Sequence, residues 1–231
     1  MTPDHLRQIL TEVAPHWGEE PVREGVSAQD VVALLDTQRF FELLEQPYPT
    51  SQQGVIERLQ QRRLVTQRGA GYDISRLGAL LLAKKLESFP EIARRAPRVV
   101  VYNGTTKLET KLDLSGSLGY AVGFQGLVNY VMTHVPRREI VEDALRRQET
   151  LVPEIMIREL VANALVHQDL SITGASPMVE IYDNRIEITN PGASIVPAIH
   201  FIDGFQSRNE RLADLMRHFR VCEEREAELT G

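Results

Sequence analysis

The chain has 231 residues, 42% of them hydrophobic and 25% charged, a balance that excludes a disordered class and leaves room for two modest globular domains. No apolar run approaches bilayer length, residues 1–17 lack the uninterrupted apolar core of a secretory signal, and the single Cys222 excludes an internal disulfide or zinc spacing, so a cytoplasmic protein without a membrane partner is expected. The net charge of −6 argues against a protein that coats nucleic acid, yet Gly54 to Arg98 holds ten Lys or Arg against four Asp or Glu.

Thr2 to Trp17 reads as a short amphipathic helix with Leu6, Ile9, Leu10 and Val13 on one face. HWGEEPVREGV reads as a connecting segment, after which Ser27 caps a helix running through Val31, Leu34, Leu35 and Gln38. Phe40, Phe41, Leu43 and Leu44 are core material. Ser51 can cap a helix carrying Val55, Ile56 and Leu59, and Leu64–Val65 then begins a strand that turns at Gly69–Gly71 and returns as Tyr72, Asp73 and Ile74. Helix then hairpin suggests a winged helix, a shape that presents a helix to the major groove and touches phosphates with its wing. Arg58, Arg62, Arg63 and Arg68 would be the DNA-binding residues. The same shape also serves as a packing or protein-interaction unit, and both readings stay open.

Arg98 to Tyr102 is a strand run, Asn103–Gly104 a turn signal, and KLETKLDL a second strand. The glycines of SGSLGYAVGF fit neither the P-loop nor the dinucleotide fingerprint. Phe124 to His134 continues as a helix with Leu127, Val128 and Val131 on its apolar face, and Ile140 to Thr150, charged on one face, leads onward. Pro153 and Glu154 suit the start of a helix. Ile157, Leu160, Val161, Ala164 and Leu165 form its apolar stripe, while Glu159, Asn163 and His167, spaced by four, form a polar seam that would line a cleft. MVEIYD and RIEITN alternate as two strands of a hairpin ending at Asn190, Pro191 and Gly192. Beyond it, Ser207 and Glu210 read as a capping box for a helix carrying Leu212, Leu215, Met216 and Phe219.

RELVANALVHQD followed by a hairpin ending IEITNPG resembles the divergent ATPase domain of Schlafen AlbA-type bacterial regulators, and the segments from ISRLGALLLAKKL through GYAVGFQGLVNYV resemble their linker region. That ATPase domain belongs to the gyrase, chaperone and histidine-kinase superfamily with the Bergerat fold. The resemblance implies Glu159 as the catalytic residue that polarises water, Asn163 as the magnesium ligand, and Asn163, Asn190, Gly192 and Arg208 as nucleotide-binding positions, with ATP and magnesium as cofactors. Asn190 stands where the superfamily has Asp, so it would accept an adenine proton in a neutral hydrogen bond. The family's Gly-Ser-Gly element is replaced by Glu226, Ala227 and Glu228, and the N-terminal domain of the family does not precede the linker, so a chain truncated at both ends is expected and hydrolysis is not.

The expected fold is α+β, with a helical segment over 1–46, a winged-helix-like region over 47–90 and an incomplete two-layer Bergerat domain over 91–231. Two functions follow: a DNA-associated transcriptional regulator with a divergent ATP- and magnesium-binding domain, or a non-catalytic structural or dimerisation module with a vestigial nucleotide site. A homo-oligomer is compatible with either.

Overall fold

A computed structural model describes residues 17–142, 145–192 and 208–221. The expected helix over 2–17 therefore lies outside the described residues except for Trp17, as does Cys222.

The N-terminal half is built on a three-stranded antiparallel sheet in the order β1 (Pro21–Val26), β3 (Gly71–Ser75), β2 (Val65–Arg68). The segment read as a connection is thus largely a strand. Its proline sits at the first position and its register against β3 shifts twice, with Gly25 at φ 63°, which is how an edge strand accommodates residues that a central strand rejects. Because β1 pairs with β3, residues on both sides of position 47 share one sheet.

The single helix expected after Ser27 is two: α1 (Ala28–Leu34) and α2 (Thr37–Leu43). Ser27 and Asp30 form a reciprocal capping box, and the break comes where the Asp36 side chain accepts from the Arg39 N–H at 3.0 Å and starts a new helix. Phe40 and Phe41 are buried as expected.

Ser51 caps α3 (Gln52–Gln61), accepting from the Gly54 N–H at 3.1 Å. The helix ends with Arg63 at φ 50°, Arg63 N–H donating to the Gln60 carbonyl and Leu64 N–H to that of Leu59, a left-handed terminator that glycine usually supplies. Ser75 then caps α4 (Arg76–Leu82) and its hydroxyl also donates to the Leu64 carbonyl at 3.0 Å. A short helix α5 (Pro90–Ala93) leads to the second half.

There a four-stranded sheet has the order β5 (Thr110–Ser115), β4 (Arg98–Tyr102), β8 (Met178–Ile181), β9 (Ile186–Thr189), with β4 and β8 parallel. Asn103–Gly104 does not close a two-residue turn: the connection runs from Asn103 to Glu109, whose carbonyl accepts the Asn103 N–H at 2.9 Å. Val99, Val101, Val179 and Ile181 are buried and belong to one core cluster with α6 (Tyr120–His134) and α7 (Glu154–Val166). Between those helices, Arg137–Glu142 (β6) and Leu145–Thr150 (β7) pair as an antiparallel hairpin. The charged segment ahead of α7 is therefore extended. The last described element, α8 (Glu210–His218), begins after Asn209 rather than after Ser207, which lies outside the described residues.

One hydrophobic cluster runs through both halves, from Val31 and Phe40 to Val179 and Met216. The described residues thus form an α+β molecule in which a winged-helix-like region and an α/β layer share their core.

Candidate nucleotide site and winged-helix surface

Helix α7 buries Ile157, Val161, Ala162, Leu165 and Val166. The stripe is rotated from the expected one: Leu160 is 45% exposed and Ala164 is half-buried. The reason is that α6 and the sheet both pack on α7, so the buried arc extends to Ala162 and Val166. Glu159 and Asn163 are exposed on successive turns, with Ile155, Met156 and Leu160 beside them also exposed. His167 is the C-cap of the helix, its N–H donating to the Asn163 carbonyl at 2.9 Å.

The end of α7 is fastened by residues that the sequence did not single out. Gln168, fully buried, donates to the Leu165 carbonyl at 2.8 Å and to the Tyr120 hydroxyl at 2.9 Å on α6. Burial holds the Tyr120 hydroxyl above its ordinary pKa, and it donates to the Arg95 carbonyl at 2.8 Å. Arg95, itself 5% exposed, stacks its guanidinium 4.8 Å from the Trp17 ring centroid and donates to the Leu170 and Ile172 carbonyls at 2.7 and 3.3 Å.

Asp169 is the knot of the site. Its N–H holds the Pro191 carbonyl at 2.7 Å, one carboxylate oxygen accepts from Ser171, and the other pairs with Arg208 at 2.6 Å. The Ser171 hydrogen bonds, and then the Arg208 and Arg95 charges, hold its carboxyl below the usual value. Gly192, at φ 111°, lies directly against this pair: a Cβ there would stand 2.6 Å from the Asp169 Cβ and 2.7 Å from Arg208 Nη1. The turn therefore requires glycine on two counts, backbone conformation and close approach.

Two expected nucleotide-binding residues, Gly192 and Arg208, are thus brought together with the end of α7, while Asn190 is half-buried two residues before Gly192. Glu159 and Asn163 lie on α7 itself. The signal for Asp169 was its place two residues after His167, but its partners are 22 and 39 positions away in the chain, which no local pattern reports.

The four arginines of the winged-helix surface are not equivalent. Arg58 donates to Gln61 at 3.1 Å, and neither it nor Arg62 has a carboxylate partner among the described residues. Arg63 pairs with Glu19 at 3.3 Å. Arg68, on β2, pairs with Glu24 and, at 3.3 Å, with Asp73; the charge of Glu24 and then that of Asp73 raise its pKa.

A family model described as "Putative ATP-dependent DNA helicase recG C-terminal" matches residues 174–227. No curated protein matches. Among solved structures, the DIP2311 protein from Corynebacterium diphtheriae is similar over 95% of this chain with a TM-score of 0.63 and 13% sequence identity. The chain spans 42% of that protein's length, and at this identity the likeness is one of fold. No helix among the described residues is long and apolar enough to cross a membrane. The family match supports a divergent ATPase-like domain at the C-terminal end of an α+β chain.

Proposed function

We propose that the chain is a DNA-associated transcriptional regulator of the Schlafen AlbA type whose divergent ATPase-like domain binds ATP with magnesium, without hydrolysis by this chain. The observation that carries the reading is the fastening of the C-terminal end of α7, the helix that carries Glu159 and Asn163, to the Gly192 turn through Asp169. No group of three or more His, Cys, Asp or Glu among the described residues could hold a metal by itself, and magnesium characteristically takes few protein oxygens, with water and phosphates as the rest. The Asn163 carboxamide oxygen would be its ligand, and the metal would neutralise phosphate oxygens. Glu159 is the group suited to orienting a water.

Arg58 and Arg62, which have no carboxylate partner among the described residues, support DNA contact. One observation favours the alternative of a structural or dimerisation module: Arg208, Arg63 and Arg68 are all engaged by carboxylates of the same chain, which tempers their pull on phosphate.

Calorimetry with ATP and magnesium separates the two. Binding that weakens at least ~10-fold in Asn163→Ala is expected of the regulator, whereas absence of heat at high protein concentration would leave the structural module. DNA binding is measured apart from this. The slope of log affinity against log salt is expected to fall by about 1 for each phosphate contact removed in Arg62→Ala and Arg63→Ala. A slope unchanged in both variants would sink the winged-helix assignment.

A further inference from the structure

We infer that α8 couples the nucleotide site to the DNA-facing helix, so that ATP with magnesium and DNA change each other's affinity through Asn209 and Arg211. This rests on the function proposed above and concerns the regulation of that same site.

The residues that lead into α8 grip the nucleotide side. Asn209, 8% exposed, donates through Nδ2 to the carbonyls of Val166 and Gln168, both at 2.7 Å. Val166 is the last residue of the helix that carries Glu159 and Asn163, and Gln168 follows its C-cap His167. Arg208 beside it pairs with Asp169, which holds the Gly192 turn through Pro191.

Arg211 faces the other way. Its Nη2 donates at 2.8 Å to the carbonyl of Arg62, the C-cap of α3, and its Nη1 pairs with Glu19. Glu19 is also the partner of Arg63. Asn209 is the N-cap of α8 and Arg211 its second residue, so the two grips lie at the same end of one helix. A movement of the α7 terminus is therefore delivered to the end of α3 with no flexible segment between.

The far end of α8 is tied to α7 and to the α2 region. Arg158 of α7 donates to the Arg220 carbonyl at 3.1 Å, Arg220 pairs with Glu45, and Phe219 meets Phe40 edge to face at 5.9 Å between centroids.

The junction also has room to move. A half-open surface pocket of about 120 Å³ lies against the first turn of α8, lined by Trp17, Leu77, Leu170 and Leu212 with Arg208 and Arg211. Close-packed interiors do not deform continuously; they switch between arrangements where space permits. A shift of α8 into this space would lengthen or release the Arg211 contacts with the Arg62 carbonyl and Glu19. Release of Glu19 in turn alters how strongly Arg63 is held away from a phosphate.

The test is fluorescence anisotropy of a labelled mixed-sequence DNA duplex at fixed salt, with and without saturating ATP and magnesium, alongside calorimetry of ATP binding with and without the duplex. Wild type is expected to show a change in DNA affinity of ~5-fold or more, matched by the same factor for ATP, since coupling is reciprocal. Arg211→Ala, whose side chain is partly exposed, is expected to fold and to bind both ligands, with a DNA affinity that differs from wild type through Glu19 and Arg63 but is the same with and without ATP and magnesium. Equal DNA affinity in both conditions, with both ligands binding, overturns the coupling and leaves the proposed function standing. An effect that survives in Arg211→Ala overturns the route through this residue. Failure of either ligand to bind wild type overturns the proposed function and this inference together.

Discussion

Replacing Gly119 by alanine is expected to destabilise the protein by about 3 kcal/mol, at the upper end of what overpacking costs. Gly119 lies where the end of α4 meets the start of α6, and its N–H donates to the Ala83 carbonyl at 2.8 Å. A Cβ there would stand 2.5 Å from the Leu81 oxygen, 2.6 Å from the Leu81 carbonyl carbon and 2.7 Å from the Ala83 nitrogen. All three are backbone atoms of a buried segment, so no side chain can turn aside to admit the methyl group. Urea unfolding would show a lowered midpoint with an unchanged slope. Gly126, on the same helix with nothing within 4 Å of the point where a methyl group would stand, is the control. Alanine there is expected to stabilise by roughly 0.5–1 kcal/mol, the ordinary helix preference over glycine. Equal effects at the two sites would mean that the α4–α6 junction is not as tight as described.

The second large effect is expected at Phe219, where alanine should cost about 3–5 kcal/mol. Its ring is 1% exposed and packs against Phe40 of α2. The truncation would open a cavity between α8 and the winged-helix-like region, at a point where neither Arg220 with Glu45 nor other surface pairs could compensate. Because one core cluster includes residues of both halves, wild type should unfold in a single transition by fluorescence and circular dichroism alike. A loss under 1 kcal/mol in Phe219→Ala would show that the ring does not bridge the halves.

The sequence made the local features legible and hid the distant ones, for physical reasons. Ser27 and Ser51 caps, the β2–β3 wing and the β8–β9 hairpin all depend on residues within a few positions of one another, and spacing alone reports such elements. The strand β1 was illegible because its Pro and Gly are turn residues locally, and only pairing with β3, about fifty residues later, makes the segment extended. Likewise the break at Asp36 is a choice between two helical arrangements, decided by a side chain that caps better than it propagates. Helical spacing placed Glu159 and Asn163 on successive turns of one exposed helix face, whereas Asp169, Gln168 and Asn209 act on partners brought near by the fold. Leu160 shows the reverse error: a helix packed on two sides buries a different arc from the one that its apolar residues outline.

The order in which the central sheet becomes available follows from its parallel pair. Strand β4 meets β5 through a short connection, but its other edge waits for β8, paired from Arg98–Met178 to Val101–Ile181. At ribosomal speeds of about 5–20 residues per second, the roughly 75 intervening residues leave that edge without its neighbour for some 4–15 s. The run Arg98-Val-Val-Val-Tyr102 is then a short, apolar, unpaired template of the kind that recruits strands from other chains. Nascent chains halted before Met178 should therefore depend on chaperones in a way that the finished protein does not, and poor recovery during overexpression would be a problem of synthesis rate rather than of native stability.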